Sequence, residues 1–98
     1  MTIRMNKVRA SAHLQNCTLN IANVCNHDPA TTVLAHVGFG GSGTAKRRTT
    51  KERNAVYACH SCHDAIDGRM PWNEYADRWF YIARALVRTA ERRDDLGL

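Results

Sequence analysis

A chain of 98 residues and 11.0 kDa, 44% hydrophobic and 23% charged with a net charge of +5, has room for one domain, which excludes a two-domain enzyme. Aromatic residues make up only 7% and the mean hydropathy is −0.46, so a modest core must offset a conformational entropy of about 1.5 kcal/mol per residue, and a staple is expected. No stretch approaches the roughly 20 apolar residues of a membrane span, and the polar N-terminus lacks the apolar segment of an export signal, so no membrane partner and a cytoplasmic location are expected.

Residues 1–16 are mixed, and residues 8–14 read as a short helix of poor periodicity. Thr31, Thr32, Val33 and Leu34 are rich in β-branched side chains and lead into Ala35, His36 and Val37, which reads as a strand. Gly38, Gly40, Gly41 and Gly43 with Ser42 form a loop, and a dense basic run follows in Lys46, Arg47, Arg48, Lys51 and Arg53. Residues 1–63 hold eight bases against the two acids Asp28 and Glu52, whereas residues 64–98 hold six bases and seven acids. The positive field therefore belongs to the first two thirds of the chain, and phosphate backbones are the partner it attracts.

Ala55, Val56 and Tyr57 offer a second short strand, and residues 62–69 have helix-compatible composition up to Gly68 or Pro71. Beyond Pro71, Trp72, Tyr75, Trp79, Ile82 and Leu86 recur in steps of three and four and draw one helical stripe. An aromatic stripe at this spacing is far more often core than a base-stacking platform, so it is expected to pack inward. Arg78, Arg84, Arg88, Arg92 and Arg93 lie mostly off it, either solvated or assisting phosphate contact. The expected organisation is one α+β unit over residues 1–98, with a core at 17–70 and a C-terminal amphipathic helix at 72–93.

In a reducing compartment four cysteines read as metal ligands rather than as a disulfide framework. Cys59 and Cys62 form a C-x-x-C knuckle whose two thiolates reach one metal from a tight turn, and Cys17 with Cys25 forms a looser second pair. Together they offer the four sulfurs of a tetrahedral structural zinc site, with His27 as an alternative to Cys25. Structural zinc binds with about 10 to 16 kcal/mol, comparable with the whole stability of a domain, about 5 to 15 kcal/mol.

The segment from Cys59 to His63 also matches the C-x-x-C-H pattern of c-type haem attachment. Against haem stand the missing export signal, the two further cysteines and the closeness of Met70 in sequence. Gly38, Gly40 and Gly43 fit G-x-G-x-x-G, but a basic loop follows where a dinucleotide fold needs a helix, so no organic cofactor is expected.

The segment Asn54-Ala-Val-Tyr-Ala-Cys59-His-Ser-Cys62-His63 resembles the N-x4-C-x2-C-H stretch of zinc-stapled HNH nucleases. Val33-Leu-Ala-His36 and Cys62-His-Asp-Ala-Ile-Asp67 are similar to the small phage and prophage members of that group, which includes a recombinase-dependent nuclease. The resemblance covers roughly residues 17 to 69. It implies a ββα-metal fold in a bacterial host, in which two strands and a helix surround one divalent ion, with the four cysteines on a separate zinc. The implied activity is hydrolysis of DNA phosphodiester bonds, with a recombinase as a further partner.

Carried over residue by residue, the resemblance makes His36 the general base and Asn54 the residue that holds the geometry around it. It makes His63 a ligand of the catalytic magnesium, manganese or similar ion. If residues 62–69 are helical, His63 and Asp67 stand at i and i+4 on one face, so both reach one ion. Many HNH enzymes carry an aspartate ligand just before the base histidine, where this chain has Ala35. Asp67 is the first compensating ligand, ahead of His60 and of Asp64, which points about 100 degrees away from His63. The basic run and Arg69 would hold the backbone with little base specificity, and His13, without such company, reads as surface.

Overall fold

The structure, a computed structural model, describes residues 3–37, 54–69 and 78–98. The glycine loop, the basic run of Lys46, Arg47, Arg48, Lys51 and Arg53, and the first part of the expected C-terminal helix lie outside the described residues. Among the described residues three α-helices and two strands make a small α+β fold: α1 (Ile3–Ser11), β1 (Val33–His36), β2 (Ala55–Ala58), α2 (His60–Ile66) and α3 (Arg78–Asp95). Among the described residues no helix is long and apolar enough to cross a membrane.

Helix α1 begins earlier than residues 8–14 imply and stops before Leu14, whose φ of 68° is non-helical. Its periodicity is weak because it places Val8 in the interior, with Ala12 just beyond its end, rather than a continuous stripe. The expected strand from Thr31 begins two residues later, because Pro29–Thr31 winds into a 3-10 turn. Asp28 caps that turn by accepting the Ala30 N–H at 3.0 Å, and Pro29 sits where the missing donor is harmless. The Thr31 hydroxyl then accepts the His60 N–H at 3.3 Å, tying the turn to the start of α2.

The strands pair antiparallel, with Val33 opposite Ala58 and His36 opposite Ala55. All four β2 residues are buried, in keeping with a strand covered on both faces. A two-stranded sheet leaves β2 with an open edge, and unpaired buried backbone groups are destabilising. Two threonines close that edge. Thr18 donates its N–H and its hydroxyl to the Tyr57 carbonyl, both at 2.8 Å, and the Thr89 hydroxyl of α3 accepts the Tyr57 N–H at 3.1 Å.

Helix α3 covers the sheet with Ile82 and, at the margin, Leu86 of the expected stripe, but the buried face is shifted so that Trp79 lies off it. Its buried residues are Tyr81, Ile82, Ala85 and Thr89, whereas Trp79 is 46% exposed and Phe80 61%. The buried face centres on Ile82, Ala85 and Thr89, about 100 degrees around the helix from Trp79. Thr89 draws the helix to this orientation through its hydrogen bonds, and Leu86 remains at the core margin. The core itself joins Leu19, Ile21, Val56, Ile66 and Ile82 to Cys59 and Cys62, so the cysteines are part of the packed interior.

Candidate functional site

Cys59 is the N-cap of α2: its extended backbone lets the sulfur accept the Cys62 N–H at 3.3 Å. Cys17 accepts the Asn20 N–H at 3.4 Å, and Cys25 accepts the His27 N–H at 3.4 Å. Asn20 and His27 take the left-handed backbone, with φ of 45° and 56°, which curls each amide toward its sulfur. The four sulfurs all lie within 4.8 Å of one another, close enough to hold a metal ion, and all four are free thiols. Sulfurs at about 2.3 Å from a tetrahedral zinc stand about 3.8 Å apart, well outside the roughly 2.05 Å of a disulfide. The Cys59 and Cys25 sulfurs are 3.8 Å apart. His27 is not part of the group, so Cys25 is the fourth member.

The protonation of the cluster follows from its crowding. The Cys62 thiol donates to Cys17 and pulls the Cys17 pKa down to about 5. The same hydrogen bond, and then burial, pushes Cys62 up. Burial pushes Cys25 up to about 11, with the neighbouring sulfurs adding their negative charge. The protein's own donors thus favour one thiolate and oppose the next. Only a cation at the centre lets all four ionise together, which is the electrostatic requirement of a thiolate metal site.

A second group of side chains gathers along the outer side of α2. His63 Nε2 lies 3.1 Å from Asp67 Oδ2, and His60 Nε2 lies 3.3 Å from Asp64 Oδ2, two i and i+4 pairs on one short helix. Arg69 closes the end of the row: its guanidinium pairs with Asp67 and stands 3.7 Å from Asp64. Asp67 is the C-cap, and Gly68 takes the positive φ of 78° that turns the chain away.

His36 ends β1, and its Nε2 is buried without a hydrogen bond among the described residues. Its pKa is lowered first by burial, then by the positive fields of Arg9 and His63. His36 and His63 are therefore electrostatic neighbours although 26 residues separate them in sequence. Asn54 is exposed one register step beyond the His36 and Ala55 pair, and its carbonyl accepts the Val37 N–H at 2.7 Å. It thus fastens the strand end that carries His36. Ala35 is 1% exposed and packs in the core cluster, so the position preceding His36 faces the interior and has no room for a carboxylate ligand.

Arg9 is the participant that sequence reasoning missed. It lies 27 residues before His36, in a helix without a clear stripe, and no spacing rule connects the two. Among the described residues the four cysteines form the one group of three or more potential ligands, so His63 and Asp67 stand as a pair rather than a complete ligand set.

A four-sulfur cluster and a histidine and carboxylate row on the same helix define a small α+β protein able to hold metal. The family description "Putative nuclease YbcO" matches residues 6–98, and the chain belongs to that family. It is 40% identical over 68 residues to the "Putative nuclease YbcO" of Escherichia coli strain K12, a match covering 66% of this chain and 67% of that protein. The protein of the same description from Enterobacteria phage 82 matches to the same extent. A solved structure described as a putative bacteriophage protein from Escherichia coli K-12 MG1655 superposes with a TM-score of 0.73 at 29% identity, covering 91% of this chain and 98% of that one.

Proposed function

We propose that this protein is an HNH-like endonuclease of the ββα-metal type that hydrolyses DNA phosphodiester bonds. The observation that carries the reading is the His63 and Asp67 pair, 3.1 Å apart on α2, whose imidazole lies within electrostatic reach of His36 at the end of β1. The names of the phage-associated relatives support the same activity class.

In this reading zinc occupies the four cysteines and staples residues 17–25 to α2, the expected closed tetrahedral arrangement of a structural site. His63 and Asp67 hold the catalytic divalent ion. The Asp67 carboxylate would suit magnesium or manganese, and the His63 imidazole would favour manganese or another transition-metal ion over magnesium. Such an ion would supply Lewis-acid polarisation of the phosphate and charge stabilisation at the leaving oxygen.

His36 takes the proton from the attacking water. Burial, Arg9 and His63 all disfavour its imidazolium form, so the ring stays free to accept a proton near neutral pH. Asn54 keeps the strand end in register, and the basic residues Lys46, Arg47, Arg48, Lys51 and Arg53 draw the substrate backbone. In this reading the whole chain works as one unit in the cytoplasm of a bacterial host, with a recombinase as a further partner.

His36→Ala is expected to abolish divalent-ion-dependent plasmid nicking while leaving folding and DNA binding intact. Unchanged nicking removes His36 from the mechanism. One observation favours a second reading, a non-catalytic zinc-ribbon module: Asp67 is already engaged by both His63 and Arg69. That module would bind nucleic acid and show no nicking with any divalent ion.

A further inference from the structure

The turn after α1, β2 and the second half of α3 enclose a groove of about 430 Å³ that the hydrolytic reading does not use. Arg88 and Arg92 form one wall, Gln15 and Asn16 the other, and the fully buried Tyr57 lies behind them. None of the lining residues is acidic. Arg88 and Arg92 are one helical turn apart and so share a face. Arg92 Nε donates to the Gln15 amide oxygen at 2.7 Å, which holds that guanidinium against the groove, while its Nη1 stands 3.8 Å from Asp95. The groove is braced from behind: the Tyr57 hydroxyl is 2.7 Å from Ser11 Oγ, and the Thr18 and Thr89 hydroxyls are 3.0 Å apart.

Two guanidinium groups with neutral amide donors and no carboxylate in the lining form a site for a phosphate group. The planar fork of arginine matches phosphate oxygens in two-pronged fashion, and glutamine and asparagine are regular donors to nucleic-acid backbones. We propose that this groove is a second contact for the nucleic-acid strand, seating one backbone phosphate between Arg88, Arg92 and Asn16, apart from the His36 and His63 centre. Only the choice of nucleic acid as the ligand rests on the nuclease reading. The groove contacts phosphate rather than base, so it adds affinity and salt dependence without sequence preference.

The test measures binding of the full chain to a fluorescent DNA duplex by anisotropy, without added divalent ion, between about 50 and 200 mM salt. Arg88→Gln is the primary variant, because this exposed side chain holds none of the packing described above. The expected result is a several-fold weaker affinity at low salt and a salt slope shallower by about 0.9, with an unchanged melting temperature. Arg78→Gln, which removes the same charge at a helix position outside the groove, is expected to leave the slope near that of the parent. Equal losses from both variants reduce the effect to net charge and overturn the proposal, as does an unchanged Arg88→Gln protein. A parent chain that binds neither duplex nor single strands of DNA or RNA overturns it as well. Nicking is scored separately: a protein that binds through Arg88 yet never nicks refutes the hydrolytic reading and leaves the groove standing.

Discussion

Helix α2 carries two polar clusters of opposite character within a few residues. At its start, the buried Cys59 and Cys62 belong to a set of four sulfurs, completed by the partly buried Cys17 and Cys25, whose lone pairs take backbone N–H groups. Farther along, His63 and Asp67 form a partly exposed pair, with the exposed Arg69 as the further partner of Asp67. Closed, fully donated sites hold a fold together, whereas open ones leave room for a reacting ligand. In the proposed reading the sulfur end serves stability and the histidine end serves chemistry.

The largest expected effect breaks the sulfur end. Cys59→Ser removes one of the four sulfurs while its hydroxyl can still cap α2, so the variant is expected to lose bound metal and, with it, most of its cooperative unfolding transition. Structural zinc contributes about 10 to 16 kcal/mol against a net domain stability of about 5 to 15 kcal/mol. Elemental analysis and a melting curve check this, and full metal occupancy with an unshifted curve would make the four sulfurs ordinary core. Asp67→Asn is expected to act at the other end alone. Catalytic-ion affinity should fall by more than the roughly 10- to 100-fold that loss of a mere supporting partner costs, because Asp67 is a direct ligand in this reading, with thermal stability and sulfur-bound metal retained. Nicking titrated with manganese reads it, and a variant with the parent's manganese dependence excludes Asp67 from the ion.

The smallest effect concerns pH. Burial and the positive fields of Arg9 and His63 favour the neutral ring of His36, so its pKa lies below the ordinary histidine value of about 6.5. The acid limb of the nicking profile should therefore fall below that pH, and Arg9→Gln should move it back upward by a fraction of a unit. An acid limb at or above about 6.5 would mean that another group titrates in the reaction.

Much of this arrangement is legible in the residues, for local reasons. The C-x-x-C knuckle places its sulfurs through a single turn, and the β-branched residues before His36 mark a strand that begins only two residues later than composition implies. The convergence of Cys17 and Cys25 on that knuckle is also readable, because four thiols in a small chain have few other uses. What local patterns miss is what tertiary hydrogen bonds decide. Thr89 turns α3 so that Trp79 faces outward, and no hydropathy period weighs two buried threonine contacts against an exposed tryptophan. The charge of Arg9 acts on His36 across a gap that spacing does not encode, and the core position of Ala35 explains why a carboxylate before His36 has no place here.

Seven residues are too few for a helix to persist in water by itself, where about 12 to 15 are needed even for favourable sequences. The first turn of α2 is held by the Cys59 sulfur at one amide and by the Thr31 hydroxyl at another. Whatever dissolves the sulfur knot, a chelator or an oxidant, therefore also unwinds the segment that brings His63 over Asp67. The pairing of imidazole and carboxylate thus leans on the sulfur that anchors the opposite end of the same short helix.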